Sequence, residues 1–206
     1  MAQIKVLIAD DHALVRMGVR LLIASQKDLT LVAEVKNGRE AIAAVERFKP
    51  DVAVIDLLMS QTDGIEATAR IKETSPGTNV VILTSYGASD GISRALANGA
   101  IGAVLKSETE DELVHAIRHA AAGRSHVTEE IRAQLATDPP LQALTPRQLD
   151  VLKSITRGLS NPDIAQELGI DVATVKTHIA KIFEKLGAAN RSEAVAIALR
   201  KQLVKI

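Results

Sequence analysis

Four short apolar runs, each closed by a polar residue, constrain this chain more than any other feature. Ile4-Lys5-Val6-Leu7-Ile8-Ala9 precedes Asp10-Asp11, and Val52-Ala53-Val54-Ile55 precedes Asp56. Val80-Val81-Ile82-Leu83 precedes Thr84-Ser85, and Ala103-Val104-Leu105 precedes Lys106. Short Val- and Ile-rich runs separated by segments of helical period read as parallel strands buried on both faces. In an open parallel sheet, ligands bind beyond the carboxyl ends of the strands. The pattern predicts that three carboxylates, a hydroxyl and an ammonium converge on one sheet edge. That is a setting for a divalent cation and a phosphoryl group.

The first half alternates throughout. Helices are expected over about His12–Ser25, Arg39–Phe48, Ile65–Thr74, Gly91–Asn98 and Glu110–Ala122, with a further strand over Leu29–Val35. Five strand–helix units make a doubly wound α/β domain with a five-stranded parallel sheet over residues 1–122. The alternation then stops. Residues 123–141 hold a short helical stretch and Thr137-Asp138-Pro139-Pro140, and they read as a linker. Residues 142–206 show no strand pattern and four helix starts. Thr145-Pro146-Arg147-Gln148 is a capping box with proline at the first helical position. Ser160, Asp171 and Asn190 are the other caps, and Gly158, Gly169 and Gly187 sit near helix ends. A small four-helix domain follows.

Composition narrows the chemistry. With no cysteine there is no thiolate metal site and no cysteine nucleophile. Phe48, Phe183 and Tyr86 are the only large aromatics, so the cores are aliphatic. No apolar stretch approaches the roughly 20 residues that span a bilayer, and the N-terminus enters a strand without a signal peptide, so a cytoplasmic protein is expected. The formal net charge is zero, but it divides unevenly: −3 over residues 1–122 and +3 over residues 123–206. This split fits an acidic regulatory domain joined to a weakly basic binding domain, and equally two ordinary solvated surfaces.

A carboxylate that attacks phosphorus needs a hard cation to offset charge on the phosphoryl oxygens. Magnesium prefers oxygen ligands and keeps several waters. Asp10, Asp11 and Asp56 can hold it directly or through water, with Asp56 as acceptor. Lys106 can neutralise one phosphoryl oxygen and Thr84 can hydrogen-bond another. Asp10-Asp11, Asp56-Leu57-Leu58-Met59, Asp63-Gly64, Thr84-Ser85 and Gly99-Ala100 through Lys106 resemble the receiver domain of bacterial response regulators. That resemblance implies that Asp56 accepts phosphate from a sensor histidine kinase. It also implies that Asp10, Asp11, Asp56 and the Leu58 backbone carbonyl bind Mg2+, with Thr84 as switch hydroxyl and Lys106 as phosphate-binding lysine. Three positions depart from the family pattern: Ser60 and Ser107 stand where proline is usual, and Ala103 where a mobile aromatic is usual. Tyr86 is a candidate substitute for that aromatic or a plain surface residue.

In the second half, a helix ending at Leu168-Gly169 is followed by a helix over Val172–Leu186. Val172, Val175, Ile179, Ile182 and Leu186 form its apolar stripe. Ala173, Thr177, Ala180, Lys181 and Glu184 lie opposite, flanked by Lys176 and His178, a surface suited to the major groove. Leu144-Thr145-Pro146-Arg147-Gln148, Gly158-Leu159-Ser160-Asn161, Thr174-Val175-Lys176-Thr177-His178 and Lys185-Leu186-Gly187 resemble the LuxR-type helix-turn-helix domain. Together the halves resemble the NarL/FixJ family. The resemblance implies a non-enzymatic, phosphorylation-controlled transcription regulator that binds double-stranded DNA as a homodimer, with RNA polymerase a further candidate partner. Lys176, Thr177, His178, Ala180 and Lys181 are the candidate DNA-contacting residues. The last helix, with Ala194, Ala196, Ile197 and Ala198, is the candidate dimer surface.

Two alternatives share these residues. An aspartate-nucleophile phosphohydrolase also uses paired aspartates and a lysine, but the second half offers no substrate-pocket chemistry. A regulator with a degenerate switch, working without phosphorylation, is motivated by Ala103. His115, His119 and His126 read as helix-face and linker residues with no fourth ligand nearby.

Overall fold

The computed structural model describes residues 3–85, 89–137, 144–201 and 203–204. The chain divides into two compact units, Met1–Asp138 and Pro139–Ile206. The first contains β1 (Ile4–Ala9), α1 (Ala13–Ser25), β2 (Leu29–Val35), α2 (Gly38–Phe48), β3 (Val52–Asp56) and α3 (Gly64–Thr74). It continues with β4 (Asn79–Thr84), α4 (Ser89–Ala97), β5 (Gly102–Leu105), α5 (Glu110–Ala121), β6 (His126–Val127) and α6 (Glu129–Thr137). The strands are parallel, in the order β2-β1-β3-β4-β5-β6. Strand order reverses between β1 and β3, which opens a crevice at their carboxyl ends.

Side-chain alternation splits the strand residues between two cores. Leu7, Ala53, Ile55, Ile82 and Leu105 pack with Ala41, Ile71, Ile92 and Ile131, so α2, α3, α4 and α6 cover that face. Val6, Ile8, Val54, Val81 and Val104 pack with Val19, Ile23, Leu113 and Ile117 from α1 and α5. Each buried Val or Ile contributes on the order of 1.5–3 kcal/mol, which favours placing these continuous runs in the interior of the sheet, covered on both faces. The helices begin where capping residues occur. Asn37 accepts from the Glu40 N–H and Asp63 from the Glu66 N–H.

The sheet has six strands rather than the expected five. The sixth, β6, pairs His126 with Gly102 and Val127 with Ala103. Two residues carry no readable period, so only their pairing with β5 defines them as strand. Most of the stretch read as a linker, residues 123–141, is likewise structured where it is described. Residues 126–137 form β6 and α6, and Ile131 is buried in the core of the first unit. The consecutive prolines Pro139 and Pro140 lie outside the described residues, as does Tyr86.

The second unit consists of α7 (Pro146–Thr156), α8 (Asn161–Leu168), α9 (Val172–Leu186) and α10 (Arg191–Arg200). Thr145 and Gln148 close a capping box at α7, and Ser160 and Asp163 close another at α8. Gly169 takes φ 64° between α8 and α9, a left-handed conformation that favours glycine and gives the tight turn. Asp171 then caps α9 by accepting from the Thr174 N–H. Arg147 donates to the Leu168 carbonyl at 2.6 Å and so fastens α7 to the end of α8. Val151, Leu152, Ile155, Ile164, Val175, Ile182 and Leu186 form the core.

Candidate functional site

The carboxyl ends of β1, β3, β4 and β5 carry Asp10, Asp56, Thr84 and Lys106. Asp10 is fully buried and Asp56 is 3% exposed. The Lys106 Nζ lies 2.8 Å from Asp10 Oδ2 and 3.0 Å from Asp56 Oδ2, so one ammonium bridges the two carboxylates across the crevice. The Leu58 backbone N–H, in the loop after β3, favours the charged form of the Asp56 carboxyl. Thr84 Oγ1 is buried and has no hydrogen-bond partner among the described residues. Asp11 is exposed and pairs with His12, whose Nδ1 is 2.8 Å from Asp11 Oδ1. Carboxylate and imidazole donor atoms of Asp10, Asp11, His12 and Asp56 all fall within 4.8 Å of one another. This donor set is rich in oxygen and fits a hard divalent cation.

Burial holds the Asp56 carboxyl above the ordinary carboxylate range, and the neighbouring charge of Asp10 adds to that. The Lys106 charge and the Leu58 N–H oppose the rise. Burial alone would lower the Lys106 ammonium, but hydrogen bonds and charges from Asp10 and Asp56 outweigh it and hold the pKa above its usual value. The site is therefore cation-seeking. Two buried carboxylates share a single lysine, and the exposed carboxylate of Asp11 belongs to the same donor cluster.

The loop after Asp56 is held tightly. The Gly64 N–H donates to the Leu57 carbonyl at 3.0 Å, and a Cβ at Gly64 would sit 2.3 Å from the Asp56 carbonyl oxygen. On the other side of the site, Glu108 accepts from the Leu105 N–H at 2.6 Å and from Thr128 Oγ1 at 2.9 Å. It ties the strand end beside Lys106 to the residue before α6. Sequence reasoning missed both His12 and Glu108. For His12 a signal existed, since it directly follows the aspartate pair. For Glu108 none did, because its partners are 3 and 20 residues away on different elements. Ala103 is buried on β5, in the same cluster as Ile131 of α6. Ser107 follows Lys106 with no cis peptide bond among the described residues.

In the second unit, Val175, Ile182 and Leu186 of the α9 stripe are buried and Ile179 is half-buried, while Val172 is exposed. Ala173, Lys176, Thr177, Ala180, Lys181 and Glu184 are exposed, and His178 is half-buried. The Thr177 hydroxyl donates back to the Ala173 carbonyl at 3.0 Å. Lys185 donates instead to Gln148 Oε1 across to α7. Of the four small residues that mark α10 as a candidate dimer surface, Ala194 and Ala198 are buried in the core of this unit, Ile197 is half-buried and Ala196 is exposed, as is Leu199.

Residues 6–118 match the family model for the response regulator receiver domain, and residues 142–198 match that for bacterial regulatory proteins of the luxR family. The chain belongs to the LuxR-type response regulators. The response regulator VraR of Staphylococcus saprophyticus is 36% identical over 207 residues, with 98% of this chain and 99% of VraR covered. The uncharacterized transcriptional regulatory protein YxjL of Bacillus subtilis is 36% identical over 214 residues, covering 98% of each. Among solved structures, response regulator ChrA of a heme-sensing two-component system aligns with a TM-score of 0.61 at 36% identity, covering 99% of this chain and all of that one. Response regulator RcsB, solved in complex with DNA, shares the fold with a TM-score of 0.67 at 24% identity, covering 96% and 98%.

This response regulator is a two-component transcriptional regulator, not an enzyme. The phosphohydrolase alternative falls with that, since both matched models and the named relatives are regulatory. A receiver domain implies a histidine kinase partner, and the luxR-type domain binds DNA. No helix among the described residues is long and apolar enough to cross a membrane. His119 and His126 of the first unit have local partners. His126 Nε2 lies 3.1 Å from Glu112 Oε2, and its ring meets that of His119 edge-on at 5.2 Å.

Proposed function

We propose that Asp56 of this response regulator accepts a phosphoryl group from a histidine kinase, and that the modified receiver controls DNA binding by α9. The observation that carries the reading is the bridge from Lys106 to Asp10 and Asp56 at the strand-order reversal, with the buried Thr84 hydroxyl lacking a partner. In the transfer, an Asp56 carboxylate oxygen forms a bond to phosphorus while the bond from phosphorus to the kinase histidine nitrogen breaks. The nitrogen leaves with that electron pair. Lys106 then exchanges one carboxylate contact for a phosphoryl oxygen, and Thr84 donates to another. Asp10, Asp11, Asp56 and the Leu58 carbonyl would hold Mg2+. When bound, that cation offsets the charge accumulating on the phosphoryl oxygens.

Lys176, Thr177, His178, Ala180 and Lys181 form the proposed DNA-facing surface of α9. The lysines supply phosphate contacts, and the Thr177 methyl and Ala180 supply apolar contact to base edges. A homodimer doubles the few phosphate contacts that one small domain offers, and it also provides cover for Leu14, Met17 and Leu21, which are exposed on one stripe of α1. Such a regulator acts in the cytoplasm, where RNA polymerase is a further partner in this reading. Incubation with acetyl phosphate and Mg2+ is expected to add one phosphate by intact mass, and Asp56→Asn should prevent it. Undiminished labelling of that variant would reject the acceptor.

A second reading has one observation behind it. Ala103 has no ring to move, and α6 packs on β5 in its neighbourhood. Coupling of Thr84 to the output surface is then weak, and the unmodified protein already binds DNA. A hundredfold gain in DNA affinity on phosphorylation, about 2.7 kcal/mol, would exclude it.

A further inference from the structure

We propose that His12 supplies a nitrogen donor to the cation site and makes it favour later first-row divalent cations, such as Co2+ and Zn2+, more strongly than an all-oxygen site would. The inference rests on the reading of Asp10, Asp11 and Asp56 as cation ligands. His12 holds the N-cap position of α1, where Ser, Thr, Asp or Asn would ordinarily turn back on the helix. Its side chain makes no capping hydrogen bond. It turns instead toward the acids, with Nδ1 2.8 Å from Asp11 Oδ1 and 3.3 Å from Asp10 Oδ1.

These separations suit joint ligation. Neighbouring donors on an octahedral cation with bonds of ~2.1 Å lie ~3.0 Å apart, and the two observed distances bracket that value. The backbone also fixes the arrangement, since the His12 N–H donates to Asp10 Oδ1 at 2.8 Å. Asp10 is divided between two tasks. Its Oδ1 faces His12 and its Oδ2 faces Lys106, so the lysine does not occupy the imidazole side of the carboxylate. The ring is 70% exposed, which leaves it free to take up a ligating orientation. Imidazole strengthens binding of Co2+ and Zn2+, whereas Mg2+ retains water there in preference to nitrogen.

The test uses the full chain, freed of metal, and its His12→Ala and Asp11→Asn variants. Calorimetric titration with Mg2+ and with Co2+ gives the affinities, and 15N-imidazole spectra with Zn2+ report ligation directly. His12→Ala is expected to lose tenfold or more in Co2+ affinity while Mg2+ affinity stays within about twofold. One imidazole resonance, absent from the variant, should shift on addition of Zn2+. Equal Co2+ affinity in wild type and His12→Ala, or no Zn2+-shifted resonance from His12, overturns the proposal while leaving the Mg2+ site standing. Failure of Mg2+ to bind the wild type, or full affinity for both cations in Asp11→Asn, overturns the cation-site reading itself.

Discussion

Replacing Lys106 by Met keeps the volume of the side chain and deletes its charge. In the native protein that charge lies within 3.0 Å of both buried aspartates, and the Lys106 side chain is only 17% exposed. Deleting one partner of a buried ion pair costs about 3–5 kcal/mol because the remaining charge stays uncompensated. Here two carboxylates lose the same partner, so the upper half of that range is expected in metal-free buffer. For a unit of this size the loss corresponds to a fall in Tm of roughly 14–17 °C. Scanning calorimetry of the full chain separates the two units' transitions and reads the value. Added Mg2+ should restore more stability to Lys106→Met than it adds to wild type, since a cation takes over the missing compensation. A metal-free decrease under about 3 °C, or no extra gain with Mg2+, would refute the argument that Lys106 is the counter-charge of this site.

Asp56→Asn tests the burial of the acceptor. A carboxyl whose folded pKa is raised stabilises the fold fully below its unfolded value of 3.8, and that contribution is lost as pH rises through the folded value. The metal-free Asn variant should therefore match or exceed wild-type stability at pH 7.5, with the difference shrinking toward pH 4 in thermal melts. Gly64→Ala puts a Cβ 2.3 Å from the Asp56 carbonyl oxygen, so it should displace the acceptor loop and slow labelling by acetyl phosphate at least tenfold, measured by mass. Lys176→Ala and Lys181→Ala should each weaken DNA binding and lower the salt slope by about one, while Thr177→Ala should change sequence preference in footprints. Leu14→Asp with Leu21→Asp alters only exposed positions of α1; sedimentation should show a folded protein with reduced self-association after phosphorylation.

Much of this protein was legible one segment at a time. Strand runs such as Val52–Ile55, helix starts at Thr145, Ser160 and Asp171, and the turn at Gly169 are set by side-chain alternation, capping and backbone freedom. Each acts within a few residues, so the chain order displays it. The ordering of Asp10, Asp56, Thr84 and Lys106 at strand ends was also visible, because parallel strands bring their carboxyl ends to one edge. What needed the tertiary structure is what depends on partners far along the chain. The two residues of β6 are a strand only because β5 lies beside them, and α6 joins the core only because Ile131 finds the cluster around Ile92 and Ala95. In α10, Ala194 and Ala196 are the same residue type two positions apart, yet helix rotation buries one against the other helices and exposes the other. The turn of His12 toward the aspartates and the double contact of Lys106 were decided in the same way. Composition and period say which atoms a residue carries, but only packing sets what lies within 3 Å of them.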